Sequence, residues 1–70
     1  MINKNFKIGD RVLIQSKLCR RYDKKSGVIV NTERSDGFFL VEFDVPIVTD
    51  FSVIKREIFY PSELILLSSR

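Results

Sequence analysis

The chain has 70 residues, 44% hydrophobic and 30% charged, which places it among globular proteins and limits it to one small domain. It contains no His, no Trp, no Ala and a single Cys, so an internal disulfide, a His-based or multi-Cys metal site and a His-dependent nucleophile are excluded. The net charge of +3 is unevenly spread: residues 1–25 hold eight basic and two acidic groups, residues 26–70 four basic and seven acidic. Such polarity orients a small protein on an anionic partner, or simply keeps it soluble.

No apolar run approaches the roughly 20 residues of a membrane helix, and Met1-Ile2-Asn3-Lys4-Asn5 lacks the apolar core of a signal peptide. With Cys19 unpaired, a reducing, cytoplasmic setting is expected.

The pattern along the chain is strand upon strand. Gly9-Asp10 reads as a turn, after which Arg11-Val12-Leu13-Ile14-Gln15 alternates with period two, Val12 and Ile14 sharing a face. A polar, basic stretch fills residues 16–26. Gly27 opens a second strand, Val28-Ile29-Val30-Asn31-Thr32, and Ser35-Asp36-Gly37 is a hairpin signal, since Asp-Gly supplies the positive φ that tight turns need. Phe38-Phe39-Leu40-Val41-Glu42-Phe43 follows as a third strand, with Phe39 expected inside by parity with Val41 and Phe43, and Phe38 outside.

Residues 44–50 contain Pro46 and are expected to form a bulge or loop, because proline cannot donate to a strand ladder. A fourth strand is predicted over residues 51–59. Phe51, Val53 and Phe59 fall on one side of it with Lys55 and Glu57, and Ile54 and Ile58 on the other, so it twists or switches faces midway. Tyr60-Pro61-Ser62-Glu63-Leu64 reads as one helical turn with Pro at a tolerated first position, and Leu64-Ile65-Leu66-Leu67 closes as a fifth strand. The expectation is an all-β, five-stranded small barrel over residues 6–67, with a short helical turn before the last strand and tails at 1–5 and 68–70. Closure would remove the open edges that invite aggregation in so small a sheet.

Gly9-Asp10-Arg11-Val12-Leu13-Ile14, a basic loop, and then Gly27-Val28-Ile29-Val30 resemble the KOW-type motif of SH3-like barrels. Val41-Glu42-Phe43-Asp44 and Pro61-Ser62-Glu63-Leu64 are similar to the third strand and the terminal turn of those barrels. Arg21-Tyr22-Asp23-Lys24-Lys25-Ser26-Gly27-Val28 also resembles an Arg-Tyr-x-Gly-Lys-Thr-Gly-Val segment of one archaeal and eukaryotic large-subunit ribosomal protein family. Lys24 stands where that family usually carries a second glycine, and the loop is longer than a minimal KOW loop. The resemblance implies an SH3-like fold and, as in many KOW-type proteins, contact with ribosomal RNA or RNA polymerase through the first loop. The fold alone does not assign a function.

Five cations in nine residues, Lys17, Arg20, Arg21, Lys24 and Lys25, mark that loop as the candidate nucleic-acid site. Each would pair with a phosphate and release counterions, and Tyr22 would stack on a base; the plainer reading is a solvated loop whose Tyr22 covers one barrel mouth. Phe38, Val45, Ile47 and Val48 are the candidate protein-binding residues; the alternative is that the apolar loop covers the barrel's open end. That surface, or extended edge pairing from the fourth strand to a partner's sheet, would suit an adaptor or a small inhibitor, and a stand-alone chain rich in Ile, Phe and Lys also suits a phage-encoded effector. Cys19 lies among cations that lower a thiol's pKa, but has no resolving partner. Glu42 and Asp44 share a strand face without a pocket, so no catalysis, metal, cofactor or small-molecule substrate is expected.

Overall fold

A computed structural model describes residues 6–32 and 37–69. Five strands form one antiparallel sheet: β1 (Arg11–Ile14), β2 (Ser26–Asn31), β3 (Phe39–Val48), β4 (Val53–Phe59) and β5 (Leu64–Ser68). Their order is β4-β3-β2-β1-β5, and a single 3-10 turn, Pro61–Glu63, joins β4 to β5. The all-β expectation holds, as does the turn before the last strand. The pairings stop at β4 and β5 and, among the described residues, include no β4–β5 ladder.

The core lies on one face of the sheet and follows the period-two pattern. Val12 and Ile14 of β1, Ile29 of β2, Val41, Phe43 and Ile47 of β3, Phe59 of β4 and Leu64 of β5 form one buried cluster. Each such side chain contributes about 1.5–3 kcal/mol by leaving water. Phe39 packs partly buried against the cluster, with the Phe6 ring edge-on at 5.7 Å. Phe38 lies on the other side, as parity requires, and its ring stacks on Tyr60 at 4.0 Å.

Turns fix the register. The Gly9-Asp10 turn is closed by the Asp10 carboxylate, which accepts from the Lys7 amide (2.9 Å). It is tied to β2 by Gly9 N–H donating to the Ile29 carbonyl (2.8 Å) and Ile29 N–H donating to the Asp10 carbonyl (3.0 Å). Gly37 has φ +82°, the positive value its place in the hairpin signal calls for; Ser35 and Asp36 lie outside the described residues, as does the tail at 1–5. At the second joint, Tyr60 N–H donates to Glu63 Oε1 (3.0 Å) and Glu63 N–H to the Tyr60 carbonyl (2.9 Å). Those two bonds close the 3-10 turn that Pro61 starts.

β3 and β4 depart most from expectation. β3 does not stop at Phe43 but runs on to Val48, and β4 begins at Val53 rather than Phe51. The pairs from Phe39–Phe59 to Glu42–Arg56 keep one register, whereas Ile47–Ile54 and Val48–Val53 keep another. Residues 43–46 of β3 therefore face Lys55 alone, and the bulge holds Pro46 where no ladder bond is lost. Three extra residues on β3 are an odd number, so the inward set of β4 changes parity. Phe59 is buried at one end and Ile54 packs on the core at the other. This is the switch of faces that the β4 sequence demands.

Candidate functional site

The loop between β1 and β2 is folded tightly on itself. Lys24 N–H donates to the Ile14 carbonyl (2.7 Å) and Ile14 N–H to the Lys25 carbonyl (2.8 Å), which clamps the end of the loop to β1. Inside it, the buried Ser16 donates its amide to Asp23 Oδ1 (3.0 Å), and its hydroxyl accepts from the Cys19 amide (3.1 Å). Tyr22 N–H bonds to the Cys19 carbonyl (3.1 Å) and Lys25 N–H to the Tyr22 carbonyl (3.2 Å). Lys17, Arg20, Arg21, Lys24 and Lys25 are all exposed on this frame, and none forms an ion pair with a described residue. The cations are presented by an ordered backbone, so docking on an anion need not first order the loop.

Tyr22 is occupied within the chain. Its ring stacks on Phe43 (5.5 Å) and meets Phe59 edge-on (5.6 Å), and its hydroxyl donates to Glu57 Oε2 (3.0 Å). Burial first, then the hydrogen bond to Glu57 and that carboxylate's charge, raise the phenol above its usual value, against an opposing pull from Arg21. The residue pins the loop to the edge of the core, with one face already covered by Phe43.

Lys24 is the one described non-glycine residue with positive φ, +64°. A left-handed residue with a Cβ costs roughly 1–2 kcal/mol, and this is the position where the resembling family carries glycine. Lys24→Gly is expected to stabilise the fold by up to about 1 kcal/mol, after the entropy glycine loses on folding. In a domain of this size the gain corresponds to a rise in Tm of roughly 4–6 °C, measurable by thermal denaturation. A lower Tm would mean that the Lys24 side chain contributes more than the strain it tolerates.

The apolar candidates separate. Ile47, expected on an exposed patch, is only 9% exposed and belongs to the core, because the bulge turns it inward opposite Ile54. Phe38 is half-buried against Tyr60. Val45 is exposed but sits beside Lys24, Lys25, Ser26 and Asp44, next to the basic loop. Val48 is exposed and pairs with the exposed Val53 at the β3–β4 tip.

That tip holds a residue the sequence reading placed in a strand. Phe51 is 97% exposed, set in a turn closed by Thr49 N–H donating to the Ser52 carbonyl (2.8 Å) and Ser52 N–H donating to Thr49 Oγ1 (3.0 Å). The Thr-x-x-Ser spacing is the signal that separates this turn from a strand, since hydroxyls at its ends replace ladder bonds. Leu18, fully exposed in the basic loop, was likewise hidden among its charged neighbours.

Comparison with protein-family models, curated proteins and solved structures finds no match. The chemistry must therefore be read from the residues themselves. Glu42 accepts from Arg56 Nε (2.8 Å), and Asp44 accepts from both guanidinium nitrogens of Arg11 (2.7 and 3.2 Å) and from the Ser26 hydroxyl (2.7 Å). Each carboxylate thus has its own arginine, on a shallow surface. Among the described residues no group of His, Cys, Asp or Glu is placed to hold a metal ion.

The Ser26 hydroxyl, and then Arg11, hold the Asp44 carboxyl below its ordinary value. A carboxyl lowered in the folded state contributes stability above its unfolded pKa, and that stability is lost as pH falls through the folded one. Asp44→Asn is expected to cost about 0.5–1 kcal/mol at neutral pH, the scale of a partly exposed ion pair. In urea titrations the gap between the two proteins should close as pH falls below about 4. A gap that persists in acid would assign the loss to packing instead of charge.

Proposed function

We propose that the protein is an SH3-like small barrel of the KOW type, a non-enzymatic cytoplasmic module that docks on an RNA-containing machine, a ribosome or RNA polymerase. All five strands contribute to one core on one sheet face, which no helix longer than one turn covers among the described residues. A sheet that must roof its own core curls towards a barrel. The left-handed Lys24 and the closely approached Gly27 fall where the KOW pattern has its glycines. The observation that carries the functional reading is the set of five exposed cations, without ion-pair partners among the described residues, on a loop already ordered by its own hydrogen bonds. Lys17, Arg20, Arg21, Lys24 and Lys25 hold phosphates. Tyr22 sets the loop's position.

The test is an amide NMR titration with a short structured RNA at about 50 and 200 mM salt. Five phosphate contacts predict that affinity falls on the order of 10²-fold over that range. Shifts confined to residues 17–27, weakened by salt and removed in the Arg20→Glu, Arg21→Glu double variant, are the expected result. Absence of shifts at either salt discards the reading.

A second reading, a protein adaptor or small inhibitor, rests on Phe51. A fully exposed ring on an ordered turn, flanked by Val48 and Val53, has the form of an anchor for an apolar pocket. In that case Phe51→Asp abolishes partner capture while Arg20→Glu leaves it intact.

A further inference from the structure

Where the basic loop meets the end of β1, its charge is mixed. Leu13 and Gln15 at that strand end, Lys17, Asp23 and Lys24 of the loop, and Ser62 of the 3-10 turn line one open groove. Backbone bonds fix both banks to the strand: Lys24 N–H donates to the Ile14 carbonyl (2.7 Å) and Gln15 N–H to the Glu63 carbonyl (2.7 Å). Gln15, Lys17, Lys24 and Ser62 are exposed, and their side chains have no hydrogen-bond or ion-pair partner among the described residues. Asp23 is half-buried and accepts the Ser16 amide on Oδ1 (3.0 Å). That bond holds the carboxylate in place, and no described residue bonds Oδ2.

A carboxylate between two lysines does not fit a groove that holds phosphate alone, because it repels the oxygens that the lysines attract. An ionised carboxylate only accepts hydrogen bonds, so the group that faces Asp23 must donate one. The ribose-phosphate chain of RNA meets both demands. Its phosphates alternate with sugars that each carry a 2′-hydroxyl, the group by which a protein tells RNA from DNA. Resting on the RNA-docking reading above, we propose that this groove is a ribose site. Asp23 Oδ2 accepts the 2′-hydroxyl, and Lys17 and Lys24 hold the phosphates on either side. Leu13, half-buried, gives the sugar an apolar wall, and Gln15 and Ser62 offer neutral donors to the remaining oxygens. A hydrogen bond to an ionised acceptor is about twice as strong as a neutral one, so a single 2′-hydroxyl suffices for selectivity of about tenfold. The acceptor is already placed by Ser16, so binding need not order it.

Amide NMR titrations at about 50 mM salt compare an RNA hairpin with the same hairpin carrying 2′-fluorine on every sugar. Fluorine keeps the A-form shape and the phosphate charge but donates no hydrogen bond. The wild type is expected to bind the RNA hairpin about tenfold more tightly than its 2′-fluoro counterpart. Asp23→Asn keeps a carbonyl for the Ser16 amide and turns an NH₂ group to the groove in place of an acceptor. It is expected to lose the preference for RNA, and to bind the 2′-fluoro hairpin more tightly than the wild type because one repelling charge is gone. Equal affinity of the wild type for both hairpins, with shifts still on residues 17–27, overturns the ribose site and leaves phosphate docking standing; that comparison needs no variant. A preference for RNA undiminished in Asp23→Asn overturns the site as well. Binding to neither hairpin removes the docking reading itself, and the ribose site with it.

Discussion

Gly27→Ala is expected to destabilise the fold by about 2–4 kcal/mol, more than a typical overpacked site, because the obstruction is backbone. Gly27 is buried in β2, between Val12 of β1 and Phe43 of β3. A Cβ there would lie 2.4 Å from the Glu42 carbonyl oxygen and 2.8 Å from Val41 Cγ1. A flexible side-chain tip swings aside at little cost, but the Glu42 carbonyl belongs to the β2–β3 ladder, and Val41 is a fully buried core residue. Relief requires β2 and β3 to separate while β1 holds β2 from the other side. Domains of this size have only about 3–5 kcal/mol of net stability, so the variant should be largely unfolded near room temperature. Urea denaturation with a circular dichroism readout measures it. A midpoint close to that of the wild type would show that the ladder slides to admit a methyl group, and would remove the close approach as the reason for glycine.

The parts of the fold that were legible in the sequence are those where period two meets a turn signal. β1, β2 and β5 lie within about one residue of their expected ends, because Val12 and Ile14, Ile29, and Leu64 alternate with residues that leave the core face. Alternation cannot show an insertion in a partner strand. The bulge at residues 43–46 is a property of the β3–β4 pairing, so it placed Ile47 in the core and let β3 continue past Pro46. The β4 sequence carried half of that information, with inward residues of both parities, and lacked only the partner to explain it. For the candidate site, composition found the exposed cations, since five in nine residues have no room to be buried. What composition could not supply was the role of Tyr22. An aromatic residue among cations fits base stacking and core anchoring equally well until Phe43 and Phe59 are placed beside it.

Tyr22→Ala and Tyr22→Phe separate those two roles. Alanine removes a ring that stacks on Phe43 and meets Phe59, together with the bond to Glu57, and is expected to cost about 3 kcal/mol, the low end for a large aromatic truncation since Tyr22 is only partly buried. Phenylalanine keeps the ring contacts and loses one charge-assisted bond, at about 1–2 kcal/mol. The phenol adds a pH signature. Its folded pKa is raised by burial and then by Glu57, so its contribution is complete below the unfolded value of about 10 and is lost as pH rises through the folded one. The wild type should therefore lose its advantage over Tyr22→Phe above about pH 10, and keep it at neutral pH. The same variants bear on RNA docking. If Tyr22 positions the loop, Tyr22→Phe binds RNA as the wild type does, and Tyr22→Ala binds weakly because the cations are no longer held on one frame. If Tyr22 instead leaves Phe43 to stack on a base, RNA would change the Tyr22 and Phe43 ring resonances together and break the Glu57 bond. NMR of the complex reads both.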